Sequence, residues 1–381
     1  MSISMNVSIF QHIEEIDPLC WDSPGDDPLS AHGVLTALEK ARLDGIQMQY
    51  ALFEDGGGRH LASVPYARLE MDGGRLTHGL FRRLIAAIRR FHPGFMQTSL
   101  FICGTPLSVG NPPLRIANGI DPVPVLREAA GLLTELANEG HVPWRAFKEF
   151  PGGMLSGAEV LTRGGWILAP SEPGWELPIR WSSYGNYLHS LRSHYRYKIR
   201  KSAQKYDEAG ISVGVVPLGE GYEPSMHRLY EDVVDRAEIV LERLSPAFFQ
   251  QLGRTLGNRT QIIRFTLQNR VVGWVALLLD DGHVHDLFHG IDYQENPATD
   301  IYFNQLNEVI RFAIHSGGHH LSLGQSTEAA KARFGARPKP LWIAVRHRLT
   351  AVNTLLQRGS SVLFPERSTP RCRVFSEGAE S

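Results

Sequence analysis

The alternation of helical and strand-like periods along the chain predicts a mixed α/β (α+β) fold, and three observations carry that expectation. Three apolar runs in the second half, TQIIRFTLQ, VVGWVALLLDD and HVHDLFHGID, are separated only by the turns Asn269-Arg270 and Asp281-Gly282, so they read as an antiparallel meander. Stretches with helical spacing flank that meander on both sides, an order that neither an all-parallel doubly wound sheet nor a sandwich explains. At 381 residues the chain is longer than one hydrophobic core usually organises, so two domains are expected.

Taken in order, residues 33 to 43 (GVLTALEKARL) have helical spacing, and QYALFEDGGGRHLASVPYARLEM reads as two strands joined at Asp55-Gly56-Gly57-Gly58. Residues 79 to 91 repeat Leu80, Leu84, Ile88 and Phe91 at helical intervals, so the first half reads helix, hairpin, helix. A further amphipathic helix covers 123 to 139, and proline and glycine cluster between Pro151 and Pro178. That cluster divides the chain into 1–165, 166–350 and a peripheral tail, 351–381. The second half opens with a long helix over 184 to 207 and a strand over 211 to 216, and helices over 224 to 236 and 246 to 256 precede the meander. A helix over 299 to 315, the short strand HHLSLG and a helix starting near Ser326 complete it.

Composition narrows the function classes. Hydrophobic content of 43%, charged content of 21% and a formal net charge of -1 describe an ordinary globular protein and give no global charge argument for nucleic acid. Three distant cysteines, Cys20, Cys103 and Cys372, suit neither a disulfide framework nor a four-cysteine zinc site, which fits a reducing cytoplasm. The first twenty residues lack a basic segment followed by an apolar run, and no stretch of 18 apolar residues occurs, so neither secretion nor a membrane span is expected.

Three stretches carry a family resemblance: VPWRAFKEFP at 142 to 151, WSSYGNYLHSLRSHYRYKIRKSAQKYDEAGI at 181 to 211, and LFHGIDY through SLGQSTEAAKARFGA at 287 to 336. With the element order, they resemble the GNAT (acyl-CoA N-acyltransferase) superfamily, and within it the FemABX-like, peptidoglycan biosynthesis and recognition type. The resemblance implies tandem GNAT-like domains with mainly antiparallel central sheets flanked by helices, the first copy degenerate and the second catalytic. It implies an N-acyl- or aminoacyltransferase that forms an amide by direct attack of an amine on acyl-CoA, an acyl-carrier protein or aminoacyl-tRNA. No tightly bound cofactor is implied, and the acceptor would be a small molecule, amino acid or peptide. Fem-type transferases carry a Lys-x-Gly-Phe-Gly segment whose lysine stabilises the developing charge. Here Lys331-Ala332-Arg333-Phe334-Gly335 keeps the Lys, the Phe and the last Gly, with Arg333 in place of the first Gly.

The residues themselves support such chemistry without a covalent intermediate, because no Gly-x-Ser-x-Gly elbow and no cysteine in a catalytic context is present. Candidate bases lie on the third meander strand. Strict alternation puts Val284, Asp286 and Phe288 on one face and His285, Leu287 and His289 on the other. His283 and His285 share a face as a metal pair would, yet nothing in the spacing demands a third ligand from His319 or His320, and no metal is expected.

The 184–207 segment holds Arg192, Arg196 and Arg200 along one edge of an apolar stripe and Lys198, Lys201 and Lys205 along the other, with no acid between Leu177 and Tyr206. That one-signed field suits a phosphate-bearing donor, and a solvated basic face is the alternative. Tyr293 to Asp300, where many GNAT enzymes cradle pyrophosphate on glycines, has no glycine and two acids. Gln325 and Ser326, in the turn after the strand ending at Leu323, are expected at the ligand site, with Ser326 or Thr327 as helix cap the alternative. Tyr302, Asn304 and Gln305 are expected to line the same cleft, with Lys331 and Phe334 beyond it. The non-enzymatic reading is a GNAT-like binding module that recognises an anionic envelope precursor or nucleic acid.

Overall fold

The computed structural model describes residues 5–25, 27–72, 87–88, 90, 97–237, 240–359, 369–370 and 372–376. The helix expected over 79–91 lies almost wholly outside the described residues. The chain divides into two compact units. One comprises Met1–Glu172, Glu238–Glu242 and Pro340–Arg367, and the other Pro173–Ala237, Arg243–Lys339 and Ser368–Ser381.

The first unit contains strands β1 (Met5–Phe10), β2 (Ile46–Asp55), β3 (His60–Asp72), β4 (Gln97–Cys103), β5 (Arg115–Ile116), β6 (Trp144–Pro151) and β7 (Ile167–Pro170). Its helices are α1 (Pro18–Asp22), α2 (His32–Lys40), α3 (Pro122–Glu139) and α4 (Leu155–Arg163). The second unit contains β8 (Gly174–Pro178), β9 (Ser212–Pro217), β10 (Thr260–Leu267), β11 (Arg270–Asp280), β12 (His283–Ile291), β13 (His320–Ser322) and β14 (Arg337–Lys339). Helices α5 (Tyr184–Ser190), α6 (Ser193–Glu208), α7 (Leu218–Gly221), α8 (His227–Val234), α9 (Pro246–Leu256), α10 (Asn296–Thr299), α11 (Ile301–His315) and α12 (Glu328–Arg333) surround them. After Lys339 the chain forms β15 (Leu341–His347) and α13 (Thr350–Arg358), both of which belong to the first unit.

The two sheets have one plan. The first runs β1-β2-β3-β4-β6-β15-β7, with β5 beside β3, and the second, from its other edge, runs β9-β10-β11-β12-β13-β8-β14. In each, a run of antiparallel strands leads to one parallel pair, β4 with β6 and β12 with β13, and a long helix (α3 or α11) joins that pair. In each, the strand between the fifth and last is supplied from outside the run: β8 follows β7 in sequence yet completes the second sheet, and β15 follows β14 yet completes the first.

The meander forms as expected, because β10, β11 and β12 pair antiparallel along their lengths. Its two faces are covered by different layers. On one, Val284 and Ile291 join Ile301, Leu306, Val309 and Ile310 of α11 in the core. On the other, Phe288 and Trp274 pack on Phe249 of α9, with ring centroids 5.7 and 5.3 Å away. A Cβ on Gly290 would lie 2.1 Å from the Trp274 indole nitrogen, so only glycine fits there.

Two departures from the sequence reading shape the site. The expected helix over 184–207 is broken: Leu191 bridges Phe375 and the Arg192 N–H donates to the Val374 carbonyl (2.9 Å), which holds both residues extended between α5 and α6. The same contact places Val374 and Phe375 in the core of the second unit, where a peripheral tail was expected. The second departure is a bulge. Ala276 faces Phe288 and the next residue, Leu277, faces Asp286, so Leu287 is an extra residue in β12. The bulge inverts the alternation beyond it, and Val284, Asp286, His289 and Ile291 share the α11 face.

Candidate active site

Strands β12 and β13 pair only over His283–His285 and His320–Ser322. Beyond that point they part: β12 stays on β11 as far as Ile291, while the Leu323 N–H and the Gly324 carbonyl bond to Trp175 of β8. From Asp286 onward, among the described residues, β12 has no strand on that side, and a wedge opens at the carboxyl end of the parallel pair, a common place for ligand sites.

The bulge brings Asp286 and His289 together at the start of this wedge. His289 Nε2 lies 3.0 Å from Asp286 Oδ2 along a hydrogen bond, and 2.9 Å from Oδ1 off the bond direction. The Asp286 side chain is fully buried and that of His289 is 15% exposed. On its other side His289 Nδ1 faces Gln305 Oε1 at 2.9 Å, and the Tyr302 ring stands 5.5 Å away, steeply inclined. The Tyr302 hydroxyl pairs with Thr327 Oγ1. Burial, with the neighbouring Asp286 charge adding to it, pushes the Tyr302 phenol well up, so it keeps its proton at neutral pH.

The turn Gln325–Thr327 closes the opposite side. Ser326 and Thr327 both adopt left-handed backbone (φ 63° and 49°), and the helix α12 begins only at Glu328. Neither residue acts as the expected side-chain cap: Thr327 occupies the cap position without a side-chain bond to the helix and spends its hydroxyl on Tyr302. Lys331 is buried, and its Nζ donates to the Gln325 carbonyl at 2.6 Å, bracing the turn. Phe334 is wholly buried against Phe303, with ring centroids 4.4 Å apart, and its carbonyl accepts from the Tyr187 hydroxyl at 2.9 Å. It is a core residue, not a lining one.

Of the expected site residues, the fold thus links Asp286, His289, Tyr302, Gln305, Gln325, Ser326 and Lys331, and it adds Thr327 through its bond to Tyr302. His285 is separate. It points to the opposite face, where both ring nitrogens are buried without a hydrogen-bond partner. Burial, reinforced by His283, His320 and Lys339, lowers its pKa to about 4, so it is a neutral core group at neutral pH. The unfolded imidazole binds a proton below about pH 6.5, so stability is complete above that value and falls as pH drops from about 6.5 to about 4, by on the order of 3 kcal/mol. Urea midpoints measured across this window should fall for the wild type and fall less for His285→Leu, the remainder including His320, His227 and His347, which burial shifts in the same direction. Equal slopes in both proteins would place the acid sensitivity elsewhere. Among the described residues no three His, Cys, Asp or Glu side chains come together as metal ligands.

The basic helix is divided in use. Arg196 donates to the carbonyls of Leu188, His189 and Leu191 and so caps α5, and Arg192 Nε donates to the Phe375 carbonyl at 3.1 Å. Lys205 pairs with Asp300 at 3.0 Å. Lys198, Arg200 and Lys201 are exposed, with no carboxylate partner among the described residues. At the start of α11, the Tyr302 N–H is taken by Asn296 Oδ1 (3.0 Å), Asp300 stands at the cap position, and Asp292 and Glu295 both pair with Arg270. Asn304 is buried and ties Thr299 to Ser202 through their carbonyls.

Comparison with known proteins bears on the fold. Residues 193–332 match the family model described as an acetyltransferase (GNAT) domain. The whole fold is similar to that of FemX, with a TM-score of 0.55 at 11% identity over 92% of this chain and 99% of that one. The chain thus has a FemX-like fold, and the segment that matches the GNAT model lies in its second unit. A tandem GNAT protein from the clavulanic acid biosynthesis pathway aligns with a TM-score of 0.49 at 10% identity, over 90% of this chain and 98% of that one. The chain is also 25% identical over 274 residues to a Mycobacterium tuberculosis protein described as "Putative 8-amino-7-oxononanoate synthase 2"; the match covers 70% of this chain and 35% of that protein. The chain thus spans about a third of the length of the curated relatives it matches. No helix among the described residues is long and apolar enough to cross a membrane.

Proposed function

We propose that the second unit forms an amide by direct attack of an amine on an activated acyl donor held in the wedge between β12 and β13. The observation that carries this reading is the parting of the two strands beside a buried Asp286–His289 couple, with a protonated Tyr302 and the Lys331-braced turn across from it. Amide formation needs a proton acceptor for the amine, donors for the oxyanion and a proton for the leaving group. His289 and Asp286 serve the amine and the leaving group, and Tyr302 and Lys331 supply positive or donor character toward the oxyanion.

The start of α11 is a poor pyrophosphate cradle. Its Tyr302 N–H is engaged by Asn296 and its loop carries Asp292, Glu295 and Asp300, so a donor bound as acetyl-CoA commonly is would meet acids and an occupied amide. This supports a donor whose phosphates lie elsewhere, an acyl-carrier protein or aminoacyl-tRNA before free acyl-CoA. The exposed Lys198, Arg200 and Lys201 supply charge for it, whereas Arg192 and Arg196 serve mainly to hold structure. The acceptor is an amine on a small molecule, amino acid or peptide.

Thermal-shift and native mass measurements against acetyl-CoA, longer acyl-CoAs, acyl-carrier protein and aminoacyl-tRNA test this. One donor should bind, and Arg200→Gln with Lys201→Gln should weaken it by roughly tenfold at low salt, with the difference fading as salt rises. Binding indifferent to both changes would return α6 to a solvated face, and the absence of any transfer with all four donors would sink the proposal.

A further inference from the structure

The couple at the head of the wedge has an unusual partner. Gln305 is fully buried, and its amide nitrogen donates to two backbone carbonyls at once, Gly290 at 2.8 Å and Trp274 at 3.2 Å. Both amide protons are therefore committed, and turning the amide over would set its oxygen against two carbonyl oxygens with no water to relieve them. Its Oε1 is consequently fixed toward His289 Nδ1, 2.9 Å away, and an acceptor there requires a proton on Nδ1. The other ring nitrogen faces the buried Asp286 carboxyl. A neutral imidazole carrying its one proton on Nδ1 would present a lone pair to that carboxylate.

We infer that Gln305 is a positioning residue that pins the His289 tautomer, so that the Asp286–His289 couple holds one further proton between Nε2 and the carboxyl at neutral pH and works as a proton donor. The inference rests on the acyl-transfer reading of the same wedge. Its proton balance is closed. As the amine nitrogen bonds to the acyl carbon and the bond from that carbon to the leaving sulfur or oxygen breaks, the couple gives its proton to the leaving atom. It then recovers one from the cationic nitrogen of the adduct, leaving a neutral amide and a neutral thiol or alcohol. The other titratable groups facing the couple are Tyr302, which packs on the His289 ring, and Tyr293, which faces Tyr302, and both are held protonated by burial.

Long-range proton–nitrogen correlation spectra of the full chain with labelled histidine test the inference without any substrate. His289→Asn identifies the signals. At neutral pH Nδ1 should bear a proton, and Nε2 should show a shared or bound proton. A neutral ring protonated on Nε2 alone would overturn the inference even if transfer is observed. Gln305→Met should release the Nδ1 proton and lower kcat by roughly 10- to 100-fold with KM little changed. A Met variant with native rate and native spectrum would also overturn it. If no acyl transfer is found but the spectra are as described, the proton placement stands and the function reading fails.

Discussion

Lys331→Met is expected to lower turnover by roughly a hundredfold or more while substrate binding holds, the size of effect typical for loss of one charge-stabilising donor. Lys331 is buried and bonded to the Gln325 carbonyl, so its ammonium is held beside the wedge at a fixed distance from the turn. In a site partly closed to water such a charge attracts an oxyanion more strongly than it would at the surface. The bond to Gln325 means the substitution also loosens the turn, and the two effects separate in measurement. Loss of the brace lowers the melting temperature and is mended by Lys331→Arg to the extent that Arg reaches the carbonyl, whereas loss of the charge at the oxyanion appears in kcat. A Met variant that turns over within about threefold of wild type would remove Lys331 from the chemistry.

Gly335→Ala should be the most destabilising single methyl in the second unit's closing segment. Gly335 has φ 89°, where a side chain is strained, and an added Cβ would lie 2.3 and 2.6 Å from ring carbons of Phe375. Phe375 cannot easily withdraw, because it rests on Trp181 at 5.4 Å and its carbonyl accepts from Arg192. Backbone strain and overpacking together suggest a loss on the order of 2–4 kcal/mol. Phe375→Ala alone removes a large core contact and should cost about 3 kcal/mol. In the double variant the clash is gone, so urea denaturation should show a total well below the sum of the two, and simple additivity would mean that Phe375 does not occupy the space above Gly335 in solution.

This pair also explains the motif that carried the family resemblance. In Lys331-Ala332-Arg333-Phe334-Gly335 the Phe fills the core beneath α11 and the Gly admits Phe375, so two of the three matching residues serve packing. Only the lysine lies beside the wedge.

The meander, its turns and the helices α3 and α11 were legible because each rests on local periodicity: β10, β11 and α11 follow from alternation and helical spacing within their own residues. What the sequence concealed depends on partners far along the chain. The break at Leu191 is imposed by Phe375, and no residue between 184 and 207 announces it. The bulge at Leu287 was invisible to strict alternation, which set Asp286 and His289 on opposite faces and so hid the couple they form. Thr327 entered only in the alternative reading, with Ser326, as a helix cap; here left-handed backbone accompanies its bond to Tyr302. Gln305 gave no signal beyond its place on the helix, since its role depends on two carbonyls of the sheet beneath it.

The exchange of β8 and β15 bears on how the chain is made. Strand β7 ends at Pro170, but β15, which must lie between β6 and β7, begins only at Leu341, about 170 residues later. At a synthesis rate of roughly 5–20 residues per second, the ribosome leaves the first sheet open for on the order of ten to thirty seconds. During that interval β6 and β7 each present an unpaired edge, and unpaired edges invite pairing with other chains. The first unit therefore cannot finish folding until all the strands of the second have been made, unlike an ordinary N-terminal domain. A nascent chain arrested anywhere between these two points should remain a client of chaperones and be readily cleaved by protease, with resistance of the first unit arriving once His347 has emerged and that of the second only after Phe375 has.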